Sequence, residues 1–320
     1  MEHPFRRGNK SIHTVDMTSQ PGTILLSGAS GMLGASLRQA LENRGVLQLV
    51  RRKPRAREEM QWNPEEGFIS RPEEFEGLTA AIHLGGANVA GHRWTPQWKQ
   101  QIRSSRIDST RVLSEALAGL RNPPQTLLVA SAAGIYGDRG DEILDESSAP
   151  GAGFLANVCR EWEEAAQPAV DAGIRVVHLR LGVVIGPGAG ALAKLTPLFR
   201  LGLGGRLGSG HQWMSWISLE DAVSAMLFAL DTPTLSGPIN LTAPQPVTNR
   251  EFTQALAHAV HRPALLPAPA FALRLALGEM ADEALLASAR ILPRQLSKAG
   301  FHFHHPSLDQ ALAAALQVRR

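Results

Sequence analysis

The sequence predicts an α/β protein: a Rossmann-type, doubly wound parallel sheet with a smaller, mostly helical C-terminal lobe. Three observations predict it. Short apolar runs of strand length alternate with helical segments, a glycine-rich turn joins the first run to the first helix, and strand periodicity loosens after Gly186-Pro187-Gly188. At 320 residues the chain is long for one minimal fold. It divides into a disordered tail over 1–22, a nucleotide-binding domain over 23–240 with a cleft-covering segment at about 186–218, and a smaller lobe over 241–320.

The first strand is the run 23–27 (TILLS), followed by Gly28-Ala29-Ser30-Gly31-Met32-Leu33-Gly34 and by Leu33, Leu37 and Leu41 at helical spacing. Gly45 is expected to end that helix, and 46–50 (VLQLV) is the second strand, closed by Arg51-Arg52-Lys53-Pro54. Further buried-strand candidates are 80–84 (AAIHL), 126–130 (TLLVA) and 175–179 (RVVHL), with helices near 98–120 and 155–172 between them. The chain returns to the sheet around Ile239, with helices near 219–230, 249–260 and 270–298. Phe301 and Phe303 alternating with His302 and His304 suggest a short edge strand, and the cluster with His305 lacks partners at metal-ligand spacing, so no metal is expected.

Composition narrows the partners. With 32 Lys and Arg against 29 Asp and Glu, and no long basic block, nucleic acid is not an expected partner. The single cysteine, Cys159, excludes an intrachain disulfide and suits a reducing compartment. The most apolar stretch, 176–199, is interrupted by Arg180, Lys194 and glycines, so no membrane association is expected and the protein reads as cytoplasmic.

The glycine turn carries the first chemistry. Gly28, Gly31 and Gly34 permit a tight bend that brings backbone N–H groups to a diphosphate at the positive end of the following helix, with Ser30, Met32 and Leu33 between them. At the end of the second strand an acid would take the ribose 2′-hydroxyl of NAD. This chain has Arg51 and Arg52 with no acid at hand, which favours the 2′-phosphate of NADP(H).

Four blocks are more specific: 86–95 (GANVAGHRWT), 105–111 (SRIDSTR), 153–156 (GFLA) and 201–205 (LGLGG). They resemble atypical extended short-chain dehydrogenase/reductases, the NAD-dependent epimerase/dehydratase-like "epimerase family" oxidoreductases with an extra C-terminal helical domain. The resemblance runs from Ile24 to Leu316 and implies an NADP(H)-binding protein of epimerase-like architecture. It places cofactor contacts on Gly28, Gly31, Met32 and Gly34, on Arg51 and Arg52, on the turn Leu84-Gly85-Gly86, and on Arg93 for the phosphates. Where the family commonly has Gly-Glu-Asn, this chain has Gly86-Ala87-Asn88, without the carboxylate.

The superfamily's Tyr-x-x-x-Lys pair sets an ammonium beside a phenol and lowers its pKa for proton transfer. Here the only tyrosine is Tyr136, and Gly140 stands four residues on. Counting back from Glu163 in the pattern Tyr-x-x-x-Lys-x-x-x-Glu, Cys159 holds the Lys position and Leu155 the Tyr position. Ser131 and Tyr136, after the 126–130 strand, are then the surviving catalytic candidates, with cleft lining or packing as the alternative for Tyr136. Asp138, Asp141, Glu142, Asp145 and Glu146 read as a solvated acidic loop, and 218–221 (SLED) as a capped helix start. His211, Gln212, Trp213 and Trp216 form a substrate-side wall, or else the two indoles are core of the second lobe.

Two functions follow from the sequence. One is an NADP(H)-dependent oxidoreductase or epimerase-like enzyme acting on a small carbonyl or hydroxyl compound near Ser131 and Tyr136. The other is a non-catalytic NADP(H)-binding module that signals to a protein partner through 205–216.

Overall fold

An apolar run without polar alternation needs cover on both faces, and β1 (Ile24–Ser27) is buried at all 4 positions. The computed structural model describes residues 22–188 and 190–317, so the tail expected over 1–22 falls, but for residue 22, outside the described residues. After β1 come α1 (Met32–Ala40), β2 (Val46–Val50), β3 (Glu59–Asn63), β4 (Phe68–Ile69), β5 (Ala80–His83), α2 (Pro96–Ala118), β6 (Thr126–Ala132) and β7 (Ile143–Leu144). Then follow α3 (Phe154–Glu164), α4 (Gln167–Asp171), β8 (Arg175–Leu181), β9 (Val183–Ile185), α5 (Gly190–Arg200), β10 (Trp213–Met214), β11 (Trp216–Ser218) and α6 (Leu219–Asp231). The chain finishes with β12 (Gly237–Leu241), β13 (Val247–Thr248), α7 (Asn249–Ala259), α8 (Ala270–Leu277), β14 (Arg290–Ile291), α9 (Arg294–Lys298) and α10 (Leu308–Gln317).

The main sheet has 8 strands in the order β12-β8-β6-β5-β1-β2-β3-β4. Neighbours are parallel except β3 and β4. From β1 the chain winds one way to β2, and from β5 it winds the other way to β6. A crevice therefore opens where β1 and β5 end side by side.

At 9 residues α1 is too short to hold its shape alone, and packing secures it. Leu37 packs on the sheet with Ala222, Ala225 and Met226 of α6, while Ile107 and Leu113 of α2 and Trp162 of α3 cover the other face. A separate core joins Ile185, Phe199 and Trp216 to Phe252, Leu256, Leu308 and Leu312, so 185–216 packs with the C-terminal part.

The structure departs from the sequence expectation in several elements, and the helix expected near 155–172 is broken into α3 and α4. α1 stops at Ala40 and a turn carries the chain to Gly45, so Gly45 is not its end. β3 was not expected; Met60 and Trp62 fill the core from it. The stretch 270–298 is broken into α8, a π-helical turn at Ala281–Leu286, β14 and α9. Residues 301–305 form no strand, because the backbone N–H groups of His304 and His305 donate to the buried Asp221 carboxylate (2.7 and 3.0 Å). Among the described residues no helix is long and apolar enough to cross a membrane, and no three His, Cys, Asp or Glu side chains gather as a metal-holding group.

Candidate functional site

The glycine turn is built by close backbone approach. Gly28 has φ +74, and a Cβ there would stand 2.8 Å from the Leu84 carbonyl carbon. At Gly34 a Cβ would stand 2.1 Å from the Gly28 carbonyl oxygen, so only a bare backbone lets α1 start this close to the turn. Gly31 caps α1 with no side-chain hydrogen bond, and the first turn holds no acid. The first N–H groups of the helix are thus left for an anion. Ser30 and Gly31 are exposed, Leu33 packs into the core, and the Met32 sulfur reaches across to Gly186.

Leu84-Gly85-Gly86 closes the other wall. The turn rests on His83, whose ring lies directly beneath Gly85. The Ser109 hydroxyl donates to the Ser105 carbonyl (2.7 Å), so it accepts from His83 Nε2 (2.9 Å), and His83 Nδ1 accepts from Ser27 Oγ (2.5 Å). This places the proton on Nε2 and joins β1, β5 and α2 beneath the crevice. Burial pushes the His83 pKa down to about 4 from 6.5. Its neutral form is the folded form, so its contribution is complete above pH 6.5 and is lost as pH falls toward 4, at a cost of about 3 kcal/mol. His178, lowered by the same cause, adds a slope of the same sign. Urea unfolding between pH 7 and 4 should show this slope in the wild type and a shallower one in His83→Gln; equal slopes would contradict the assignment.

Arg106 of α2, within the 105–111 block, was not among the expected site residues. It is half-buried under Gly86, donates to the carbonyls of Ala87 and Ile102 (2.9 Å each), lies over the Trp162 ring, and has no carboxylate partner among the described residues. The available signal was the 105–111 block (SRIDSTR), which sets Arg106 on the helix that follows the 84–86 turn.

The two arginines after β2 differ. Arg51 is exposed, with no side-chain partner among the described residues. Arg52, expected without an acid nearby, is held by both oxygens of Glu59 (2.7 and 2.5 Å) because β3 lies beside β2. The Arg52 hydrogen bond, with one from the Arg55 backbone, brings the Glu59 carboxyl down to about 2. Arg93 points elsewhere, its guanidinium reaching the Leu275 carbonyl of α8 at 3.5 Å.

The catalytic candidates are not at the crevice surface. Strand alternation turns Ser131 inward, where its hydroxyl donates to Glu163 (2.7 Å). Tyr136 is fully buried; its hydroxyl donates to Asn240 Oδ1 (2.7 Å) and accepts from Arg180 (3.0 Å). Burial raises its pKa against the pull of Arg180. Arg180 grips Glu163 through two 2.9 Å bonds, and although burial opposes ionisation, Arg180 holds the Glu163 carboxyl below its ordinary value. Ser131, Glu163, Arg180, Tyr136 and Asn240 therefore form one buried network joining β6, α3, β8 and β12. At the dyad positions Leu155 is half-buried, and Cys159 is buried with its thiol pushed up to about 12.

The substrate-side wall is corrected in part. Trp216 is core, with its indole donating to the Gln245 carbonyl (3.0 Å). Gln212 is buried and ties the carbonyls of Leu207 and Leu285. Trp213 is half-buried between Asp141 and Arg290, and only His211 is exposed, bonded to Arg250. Within the acidic loop Glu146 is not solvated: it is buried and accepts from the backbones of Asn240 and Gln295. Ser218 caps α6 by accepting from the Asp221 backbone. Glu283, another residue not foreseen, receives the Phe154 and Leu155 N–H groups (2.9 and 3.0 Å) and so caps α3 from the C-terminal part. The Lys99–Glu279 ion pair (2.8 Å) is a second tie, from α2 to the C-terminal part.

Residues 24–241 match the NAD dependent epimerase/dehydratase family. The chain belongs to that family. Residues 268–315 of this epimerase-family chain also match a domain of unknown function, DUF1731. It is 48% identical over 294 residues to "Epimerase family protein MT2273" of Mycobacterium tuberculosis (strain CDC 1551 / Oshkosh), covering 91% of this chain and 97% of the relative. It is 38% identical to the chloroplastic SDR39U1 homolog of Arabidopsis thaliana, covering 92% and 87%. The crystal structure of human epimerase family protein SDR39U1 (isoform2) with NADPH superposes with a TM-score of 0.83 at 31% identity, covering 92% of this chain and 98% of that one.

Proposed function

We propose that this epimerase-family chain is a cytosolic NADP(H)-dependent oxidoreductase acting on a small carbonyl or hydroxyl compound. The observation that carries the reading is the crevice at the ends of β1 and β5. There Gly28 and Gly34 admit no Cβ, no side chain caps α1, and Arg51 has no carboxylate partner among the described residues. A diphosphate would complete the first turn of α1, and a 2′-phosphate would pair with Arg51. The NADPH in the human relative's structure supports that choice.

When bound, the nicotinamide supplies or accepts hydride. Gly28, Gly31 and Gly34 hold the diphosphate by backbone, while Arg106 fixes a positive charge under Gly86. Leu155 and Cys159 keep the dyad position apolar, and the thiol, pushed up to about 12 by burial, stays protonated at neutral pH and is too weak an acid to serve as the proton donor. Tyr136 is spent on Asn240 and Arg180. The proton that accompanies hydride therefore comes from water or from the substrate itself.

The loss of every dyad group is also what a non-catalytic NADP(H)-binding module would show. NADPH consumption over a panel of small aldehydes and ketones separates the two. The oxidoreductase turns over at least one of them, and Tyr136→Phe retains its kcat. Tight NADPH binding with no turnover on any compound would favour the module. Arg51→Glu should raise the KM for NADPH by about tenfold or more while changing that for NADH little; equal effects would remove Arg51 from 2′-phosphate recognition.

A further inference from the structure

Two stretches without any acidic residue meet on one surface. Residues 186–219 contain Lys194, Arg200 and Arg206 but no Asp or Glu, and residues 252–278 contain Arg262 and Arg274 and again no acid. They run side by side: Arg262 Nε donates to the Arg200 carbonyl (3.2 Å), Leu266 N to the Gly204 carbonyl (3.2 Å), and Leu207 bridges Ala268. The approach is so close at Gly205 that a Cβ would stand 1.9 Å from the Leu266 oxygen.

The juxtaposition gathers Leu201, Leu203, Leu265 and Leu266 beside α8, where Phe271 and Leu275 share one face. All six are more than half exposed, from 53% for Leu203 to 78% for Leu265 and Leu275. Side chains this exposed stand out from the surface and do not line a groove for a peptide. Around them Arg200, Arg206 and Arg262 are exposed and have no carboxylate partner among the described residues, whereas Arg274 is paired with Asp282.

We propose that this face docks peripherally on an anionic lipid surface. The leucines and Phe271 enter the headgroup region, and the three arginines pair with lipid phosphates. Charge decides against a second copy of the chain, since a two-fold contact would set the same cations against one another. The sequence expectation of no membrane association rested on the lack of a spanning segment. This patch escapes such a reading because loops about sixty residues apart in the chain assemble it only on folding.

Co-sedimentation of the full chain with vesicles tests the proposal. Vesicles of phosphatidylcholine with roughly one quarter phosphatidylglycerol should bind about tenfold more protein than phosphatidylcholine alone, and added salt should weaken the binding. Leu265→Asp with Phe271→Asp should reduce binding to the neutral-vesicle level while NADPH affinity and thermal midpoint are kept. Val170→Asp, an exposed apolar site on α4, should leave it unchanged. No binding to anionic vesicles, equal binding to both kinds, or a double variant that still sediments would overturn the proposal. So would self-association that rises with protein concentration and vanishes in the double variant, which would assign the face to a second copy.

Discussion

Gly34→Ala should lower NADPH affinity by about a hundredfold or more, equivalent to roughly 2.7 kcal/mol. The new methyl would lie 2.1 Å from the Gly28 oxygen and 2.8 Å from the Ala29 Cα, both backbone atoms with no rotamer to give way. α1 must then move off the turn, and its first N–H groups leave the place where a diphosphate would sit. Gly31→Ala is the comparison for folding, since its methyl would meet the Gly28 oxygen at an ordinary 3.4 Å. Calorimetric titration of both variants, with circular dichroism to establish that each is folded, checks the result. Wild-type affinity in folded Gly34→Ala would mean that the turn does not hold the cofactor.

Arg180→Met should destabilise the fold by about 3–5 kcal/mol in chemical unfolding. The change leaves the Glu163 carboxylate in a site where its side chain is 14% exposed, with only the Ser131 hydroxyl to satisfy it, and takes a donor from Tyr136. Removing both charges is expected to be milder: Arg180→Met with Glu163→Leu should recover a large part of the loss, because no uncompensated ion is then buried. A loss below about 1 kcal/mol in the single variant would show that the pair is not isolated from water.

The parts of the fold that were legible in the sequence are those set by neighbours in the chain. β1, the glycine turn and α1 follow from an unbroken apolar run, three glycines and leucines at helical spacing, all within 23–41. β3 was not legible because Met60 and Trp62 are its only large apolar residues and a charged stretch precedes them. The same omission hid Glu59 from Arg52, a pairing that exists only because β3 lies beside β2.

The site was legible at the cofactor end and much less so at the catalytic end. Backbone turns announce themselves through glycine, whereas the direction of a side chain at a strand end depends on one residue of register. Ser131 faces Glu163 for that reason, and Tyr136 continues inward to Arg180 and Asn240. Trp213 and Trp216, three residues apart, separate in the same way into a partly exposed indole and a fully buried one. Glu146 and Glu283 take their roles from backbone groups more than ninety residues distant, and no local pattern signals that.

Calorimetric titration of the purified, folded protein with NADPH and with NADH is the most direct test of the central claim. The account predicts saturable binding of NADPH at micromolar concentrations and NADH weaker by about tenfold or more, the difference carried by Arg51. Binding of neither dinucleotide at millimolar concentrations would contradict it.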